Sequence, residues 1–208
     1  MDILSLQQEM SKILKPKRYL HVLGVEFTCA SLAMRYHADL KKAQIAGLLH
    51  DCAKHLDDET QLAECTKYEL HISEVEARVP YLLHGKLGAY YAKTRYQIED
   101  QEILDAITYH TTGRPEMSLL EKIVYTADYI EPSRNAERIK GMDEIRAMAF
   151  VDIDQAIVMM TKNTMDYITS SGGEFDQTTV ATYHYYQALV TARKQAQDAD
   201  CLKQIIIE

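Results

Sequence analysis

The sequence predicts an all-α protein folded as a single domain, and three observations support this. Only 8 of the 208 residues are Gly and 4 are Pro, whereas the strong helix formers Ala, Leu, Gln, Glu, Lys and Met are plentiful. Apolar residues recur at helical spacing along most of the chain, and no segment before the tail alternates as a strand does. A chain of this length can bury a substantial core in one domain.

Capping residues and breakers set the expected helix boundaries. A weak helical pattern over 2–14 ends at Pro16, a long helix is expected over about 17–37, and Asp39 is a suitable N-cap for the next one. Further helices are predicted over about 58–66, 72–78, 80–95, 99–111, 117–131, 143–150, 153–170 and 177–198. The apolar tail, residues 205–207, is expected to form a short strand or to pack on a neighbour.

Charge and cysteine content limit the class of protein. A formal net charge of −8 argues against a general nucleic-acid binder, which needs a basic face. A small phosphorylated ligand needs only a local cluster of Lys and Arg. The cysteines are widely spaced, without a C-x-x-C motif, and neither a signal peptide nor a membrane span is expected. We therefore predict a cytoplasmic protein with no membrane partner.

The most informative stretch is AQIAGLLHDCAK, residues 43–54. Plotted at about 100° per residue, its apolar side chains form one stripe. The opposite face carries two small residues, Ala43 and Gly47, followed by His50, Asp51 and Lys54. Small residues allow another body to approach a helix, and adjacent His and Asp side chains can both bind a metal ion. We predict a helix through this stretch with a functional site on that face.

Other helices direct polar side chains inward as well. His21, His84 and His110 each share a helix face with apolar residues, and Asp128 borders an apolar stripe. A buried carboxylate without a partner is costly, so Asp128 needs a cation. Each residue alone could be a satisfied core group, but a metal ion would satisfy several of them at once.

The order of these residues resembles the metal-site pattern H…HD…H…H…D of the HD-domain phosphohydrolase superfamily. More narrowly, the chain resembles the bacterial YqeK family of symmetrical diadenosine tetraphosphate hydrolases. The motifs that carry the resemblance cover roughly residues 15–140. They are RYLHVLGV, AGLLHDCAKH, LLHGKLGAYYA, ITYHTTGRPEMS and YTADYIEPSRN. The resemblance implies one HD-type helical domain over 1–208, with a metal-site core at about 17–135 and helices at about 143–198 packing on it.

The resemblance also implies how the ligands divide. One divalent ion would be held by His21, His50, Asp51 and Asp128, and a second by His84 and His110, with Asp51 bridging the two. Imidazole and carboxylate ligands suit iron, the expected metal, and also manganese, zinc or nickel. A hydroxide held between two such ions would attack the phosphoanhydride, with Asp51 and Lys54 as the catalytic residues.

Cations and a turn beside these ligands are candidates for substrate phosphate binding. Lys54 follows His50-Asp51 by about one helical turn, and Arg134 follows Asp128 closely. Arg114 lies in a TTG turn just after His110, where Thr111 and Gly113 offer a hydroxyl and exposed amides. A homodimer is also possible, since the tail is apolar.

Alternatives remain within and outside this reaction class. A related nucleotidase or cyclic-dinucleotide phosphodiesterase would use the same two metals on another substrate. A di-iron oxygenase would consume oxygen, and a non-catalytic nucleotide sensor would bind a dinucleotide without releasing product. The cations beside the ligands favour the hydrolase, because an oxygenase does not need to bind phosphate.

Overall fold

The structure is a computed structural model that describes residues 2–174 and 176–207. Within these residues the chain forms α-helices and no strand, which confirms the all-α prediction. The helices, numbered α1 to α11, are Ile3–Ile13, Pro16–Tyr36, Leu40–Leu49, Asp58–Lys67, Glu74–Arg78, His84–Arg95, Gln101–Tyr109, Leu119–Ile130, Met142–Ala149, Ile153–Ser170 and Gln177–Ile207. Short 3₁₀ segments cover Pro80–Leu83 and Ala136–Arg138.

Side-chain caps fix several helix starts. The Asp39 carboxylate accepts a hydrogen bond from the Lys42 amide, as predicted for an N-cap. Ser118 and Glu121 form a capping box, so α8 starts at Leu119, slightly later than predicted. The Asp100 carboxylate accepts hydrogen bonds from the Glu102 and Ile103 amides, so α7 starts at Gln101, also slightly later than predicted.

The prediction of one helix through residues 43–54 is wrong in its second half. Helix α3 ends at Leu49, and the next residues form consecutive turns instead. The Cys52 amide bonds to the Leu49 carbonyl at 3.1 Å and the Lys54 amide to the Asp51 carbonyl at 2.9 Å. Since these bonds span three residues, the chain tightens, and His50 and Asp51 lie in a turn rather than on a helix face.

The small residues of α3 serve helix packing. Gly47 is buried against α2, where an added Cβ would lie 3.1 Å from Cys29 Sγ and 3.1 Å from the Glu26 Cα. Ala43 is also fully buried. The body that approaches this face is therefore helix α2, and the close contact of α2 with α3 forms the centre of the core.

The C-terminal helices support the central ones. Helix α10 packs on α8 and α9, and α11 packs on α10. Thr182 of α11 donates to the Thr112 carbonyl at 3.2 Å, and the Met117 amide donates to the buried Tyr186 hydroxyl at 3.0 Å. The last helix thus holds the loop that follows His110.

The predicted strand at residues 205–207 is wrong, since helix α11 runs to Ile207. The Ala-, Lys- and Gln-rich segment before it favours a continued helix. The side chains of residues 200–207, including Cys201 and the apolar tail, lie outside the described residues. In the described part of the chain, none of the helices is long and apolar enough to cross a membrane.

Candidate metal centre

Six predicted ligands from five segments converge, with Asp51 at the centre of the other five. His50 is the C-cap of α3, and Asp51 opens the turn that follows. The others come from separate helices, with His21 in α2, His84 at the start of α6, His110 at the C-cap of α7 and Asp128 in α8. His21, His50, Asp51, His84 and His110 are all buried.

The first group of ligand atoms surrounds one carboxylate oxygen of Asp51, Oδ2. Asp51 Oδ2 is 3.7 Å from His21 Nε2 and 3.4 Å from His50 Nε2. Asp128 Oδ1 completes this group, at 3.0 Å from His21 Nε2 and 3.8 Å from His50 Nε2. Two imidazoles and two carboxylates therefore face one small volume.

The second group of ligand atoms surrounds the other oxygen of the same carboxylate, Oδ1. Asp51 Oδ1 is 3.4 Å from His84 Nε2 and 3.8 Å from His110 Nε2. In the first group, one ligand atom from each of His21, His50 and Asp51 lies within 4.8 Å of the other two. The same holds in the second group for Asp51, His84 and His110. Asp51 is shared by both groups, as a bridging ligand would be.

Hydrogen bonds on the far side of each ring orient the histidines. The Nδ1 atoms of His50, His84 and His110 face the carbonyls of the residues three positions earlier. His21 Nδ1 instead faces Glu131 Oε1 at 2.9 Å. An Nδ1–H group that donates to these oxygens leaves the Nε2 lone pair free, which is the usual orientation of a metal-binding histidine.

The inner atoms of this cluster need a cation. His84 Nε2 and His110 Nε2 lie 3.0 Å apart, and two lone pairs at that distance repel each other unless a positive charge lies beside them. Among the described residues, the buried His50 Nε2 has no hydrogen-bond partner, and His21 Nε2 has none of good geometry although Asp128 Oδ1 lies 3.0 Å away. Buried nitrogen and oxygen donors left unsatisfied in this way fit divalent metal ions.

The protonation states of His84, His110 and Asp51 agree with metal binding, whereas contacts with Asp128 and Glu131 outweigh burial and raise the pKa of His21. Burial and the neighbouring His110 charge lower the pKa of His84 to about 3, and burial beside His50 lowers the pKa of His110 to about 4. Both rings are therefore neutral at pH 7. Burial opposes ionisation of Asp51, but the nearby histidines hold its pKa well below the ordinary value, and His50 contributes most among them.

Lys54 and Thr111 border the second group of ligands. Lys54 Nζ lies 3.0 Å from His84 Nδ1 and over the Tyr81 ring, and burial lowers its pKa. Thr111 Oγ1 lies 3.2 Å from the Nε2 atoms of both His84 and His110. Two predicted phosphate-binding groups thus lie beside the metal ligands.

Arg134 lies beside the first group of ligand atoms. Gly113 and Arg114 contact residues outside both groups. Arg134 donates to the Asp128 carboxylate and to its backbone carbonyl. Gly113 has a φ of 63° and packs against Thr182. The Arg114 guanidinium pairs with the buried Glu121 and with Asp105.

Two residues in the centre escaped the sequence analysis. Arg18 Nη1 donates to Asp51 Oδ2 at 2.8 Å, and Glu131 accepts from His21. Each lies three residues from a predicted ligand on the same helical segment, Arg18 before His21 and Glu131 after Asp128. That i, i+3 spacing places each residue on the same helix face as its neighbouring ligand, and this spacing could have identified both residues from the sequence.

Comparisons with known proteins agree with this geometry. The HD domain family matches residues 18–133. The symmetrical bis(5'-nucleosyl)-tetraphosphatase of Bacillus subtilis is 41% identical over 81% of this chain and 88% of its own length. The protein of that name from Staphylococcus aureus is 37% identical over 83% of this chain and 88% of its own length.

A solved structure shows the same fold. The crystal structure of a predicted HD superfamily hydrolase involved in NAD metabolism, from Clostridium acetobutylicum, matches with a TM-score of 0.84 and 42% identity. The match covers 88% of this chain and 96% of the other. Fold, clustered ligands and similarity over most of the chain agree, and the chain belongs to the HD domain family and, within it, to the family of the symmetrical bis(5'-nucleosyl)-tetraphosphatases.

Proposed function

We propose that this protein hydrolyses diadenosine tetraphosphate to two ADP by means of two divalent metal ions. The observation that carries the proposal is the pair of ligand groups on the two oxygens of Asp51. The names of the relatives supply the substrate class. Water adds to one of the two central phosphorus atoms, the central phosphoanhydride bond breaks, and its bridging oxygen leaves with the other ADP.

The proposed ligand sets are His21, His50, Asp51 and Asp128 for one ion, and Asp51, His84 and His110 for the other. Mixed imidazole and carboxylate ligands are compatible with iron, our preferred metal, and with manganese, zinc or nickel. When bound, two such ions supply positive charge that activates water and neutralises charge on the phosphate oxygens.

The chain's own groups bind and orient the substrate. Lys54 and the Thr111 hydroxyl would donate hydrogen bonds to phosphate oxygens beside the second group. Arg134 would do so beside the first, where its guanidinium already lies against Asp128. Arg114 remains a candidate for the outer phosphates, once it exchanges a carboxylate partner for the substrate. The predicted role of the Gly113 amide is not supported, because this buried amide already donates to the Tyr109 carbonyl at 2.8 Å.

The domain organisation of the chain and its location in the cell are also proposed. We propose a single HD-type domain, supported by the packing of α10 on α8 and of Tyr186 on the loop after His110. Cys29, Cys52 and Cys65 are free thiols, which supports a reducing cytoplasm as the place of the reaction.

The decisive experiment compares the wild-type protein with Asp51→Ala after loading with iron or manganese. Each is incubated with diadenosine tetraphosphate, the products are separated by chromatography, and bound metal is counted by elemental analysis. Asp58→Ala, a substitution of an exposed carboxylate, is the matched control. We expect ADP as the sole product, and loss of both activity and metal only in Asp51→Ala.

Other outcomes would contradict the proposal. AMP together with ATP would mean that the substrate is cleaved asymmetrically. Dinucleotide binding without product would indicate the sensor, and oxygen consumption with a polyol or phosphonate would indicate the oxygenase. An Asp51→Ala protein with normal turnover and two bound ions would refute the ligand assignment.

A further inference from the structure

A basic cavity opens beside the first group of ligands and is not explained by metal binding. Its volume is about 480 Å³. The cationic side chains that line it are Lys15, Lys17, Arg18 and Arg134, and the ligand His21 and its partner Glu131 also border it. Such a concentration of cations is unexpected on a chain with a formal net charge of −8.

The two arginines connect this cavity to the metal ligands. Arg18 donates to Asp51 Oδ2 at 2.8 Å, and Arg134 contacts Asp128. Both guanidinium groups are only partly covered, with 38% of the Arg18 side chain and 36% of the Arg134 side chain exposed. Each guanidinium has donors beyond those that its carboxylate occupies, and these are available to a ligand in the cavity.

The two lysines have no such partner. Lys15 and Lys17 are exposed, and within the described residues no carboxylate pairs with either. Lys15 is the N-cap of α2, and no side chain caps this helix start. The lysine charges and the positive end of the α2 dipole therefore add at the rim of the cavity.

We propose that this cavity binds the phosphates of one of the two ADP halves of the substrate, with Lys15 and Lys17 contacting the outer phosphate of that half, which is the one farther from the scissile bond. This proposal rests on the proposed function, because a tetraphosphate cut at its centre carries two phosphates on each side. The ligand chemistry is that of a nucleoside diphosphate. Four cationic side chains facing one volume attract such a polyanion. Among the residues that line the cavity Glu131 is the acidic one and is fully buried, while Asp51 and Asp128 pair with the two arginines and leave the lysine charges uncompensated.

The test is binding of ADP to the full chain, measured by calorimetry with metal-loaded and with chelator-treated protein. The double variant Lys15→Glu/Lys17→Glu removes the charge at the rim, and acidic residues at a helix start are compatible with folding. The control is Lys41→Glu/Lys93→Glu, which changes exposed lysines outside the cavity and alters the net charge equally. Adenosine, which lacks phosphate, is the second probe.

We expect the rim variant to bind ADP on the order of 10-fold more weakly than wild type, with an effect that shrinks at high salt. The control variant should bind ADP as wild type does, and adenosine should bind alike to all three proteins. With diadenosine tetraphosphate, the rim variant should show a raised KM at unchanged metal content.

Equal ADP binding by the rim variant and wild type would overturn the proposal, and so would an equal loss in the control variant. The outcome is separable from the proposed reaction. If wild type failed to cleave diadenosine tetraphosphate while ADP binding still depended on the two lysines, the reaction would be refuted and the phosphate site retained.

Discussion

Glu131 accepts a hydrogen bond from His21 at 2.9 Å while lying fully buried beneath it. Its carboxylate is held in turn by the Ser133 amide and hydroxyl, both at 2.6 Å. These contacts, against the cost of burial, lower the pKa of Glu131 and keep it charged. An ionised carboxylate behind a metal-binding imidazole increases its basicity and fixes its orientation.

Glu131→Gln should therefore weaken metal binding without removing a ligand. We expect the affinity of the first ion to fall by about 10- to 100-fold, measured by competition with a chelator of known affinity. Glu137→Gln, on an exposed residue, should leave the affinity unchanged. A variant with wild-type affinity but a lower melting temperature would show that Glu131 serves stability alone.

Gly24 makes room for this carboxylate. A Cβ at position 24 would collide with Glu131 Oε2. Although Ala normally favours a helix over Gly by about 1 kcal/mol, we expect Gly24→Ala to destabilise the protein by about 1–3 kcal/mol through overpacking. Chemical denaturation would measure this. Because the collision needs the Glu131 side chain, the cost should shrink in the background of Glu131→Ala, and additive effects would contradict this explanation.

Arg114 should contribute to stability through Glu121. Its guanidinium pairs with a carboxylate that is only 1% exposed. Arg114→Ala would leave that buried acceptor underpaired, and we expect a loss of about 1–3 kcal/mol with metal content unchanged. The double variant Arg114→Ala/Glu121→Gln should recover part of the stability. If its KM for diadenosine tetraphosphate stays raised after that recovery, Arg114 also contacts the substrate; a normal KM would refute that role.

Glu26 makes stability depend on pH at a position away from the ligands. It is fully buried, and among the described residues only the Gln7 and Gln44 side-chain amides donate to it. Burial raises its pKa above 4.5. The folded state then holds the proton more tightly than the unfolded state, so the contribution of Glu26 to stability is present below pH 4.5 and is lost as the pH rises through the folded value.

Glu26→Gln removes this titration. We expect the variant to melt at a higher temperature than wild type at pH 8, with the difference narrowing as the pH falls towards 4.5. Thermal unfolding of both proteins across this range is the measurement. Glu9→Gln, a change in another glutamate of the N-terminal region, is the control. A difference between Glu26→Gln and wild type that is independent of pH would mean that the Glu26 carboxyl has the same pKa in the folded and unfolded states, which would refute the raised pKa.

Most helices, and the residues that converge on Asp51, were predictable from local signals. Asp39 and the inward positions of His84 and His110 are visible in the sequence because capping and helical periodicity are local properties. The end of α3 was not, because Cys52 and Leu56 continue the apolar stripe beyond the point where the helix ends. Periodicity cannot distinguish such a turn from another turn of helix.

Long-range partners were also beyond sequence reasoning. The i, i+3 spacing places Arg18 and Glu131 on the faces of His21 and Asp128, but only the folded chain shows which residues they contact, Asp51 and His21. The contact of Thr182 with the Thr112 carbonyl joins residues 70 positions apart. No spacing rule links positions so distant.

Three of the four histidine rings are oriented by a carbonyl three residues earlier in the same segment, those of Gly47, Tyr81 and Ile107. For each of these rings, the contact that favours a proton on Nδ1 comes from its own segment rather than from another helix. Substitutions in the core between helices would change the distances between ligands while leaving the donor atom of each unchanged. Substitutions in the core alone can therefore change the size of the ion that such a site prefers during evolution, while every histidine keeps the same donor atom.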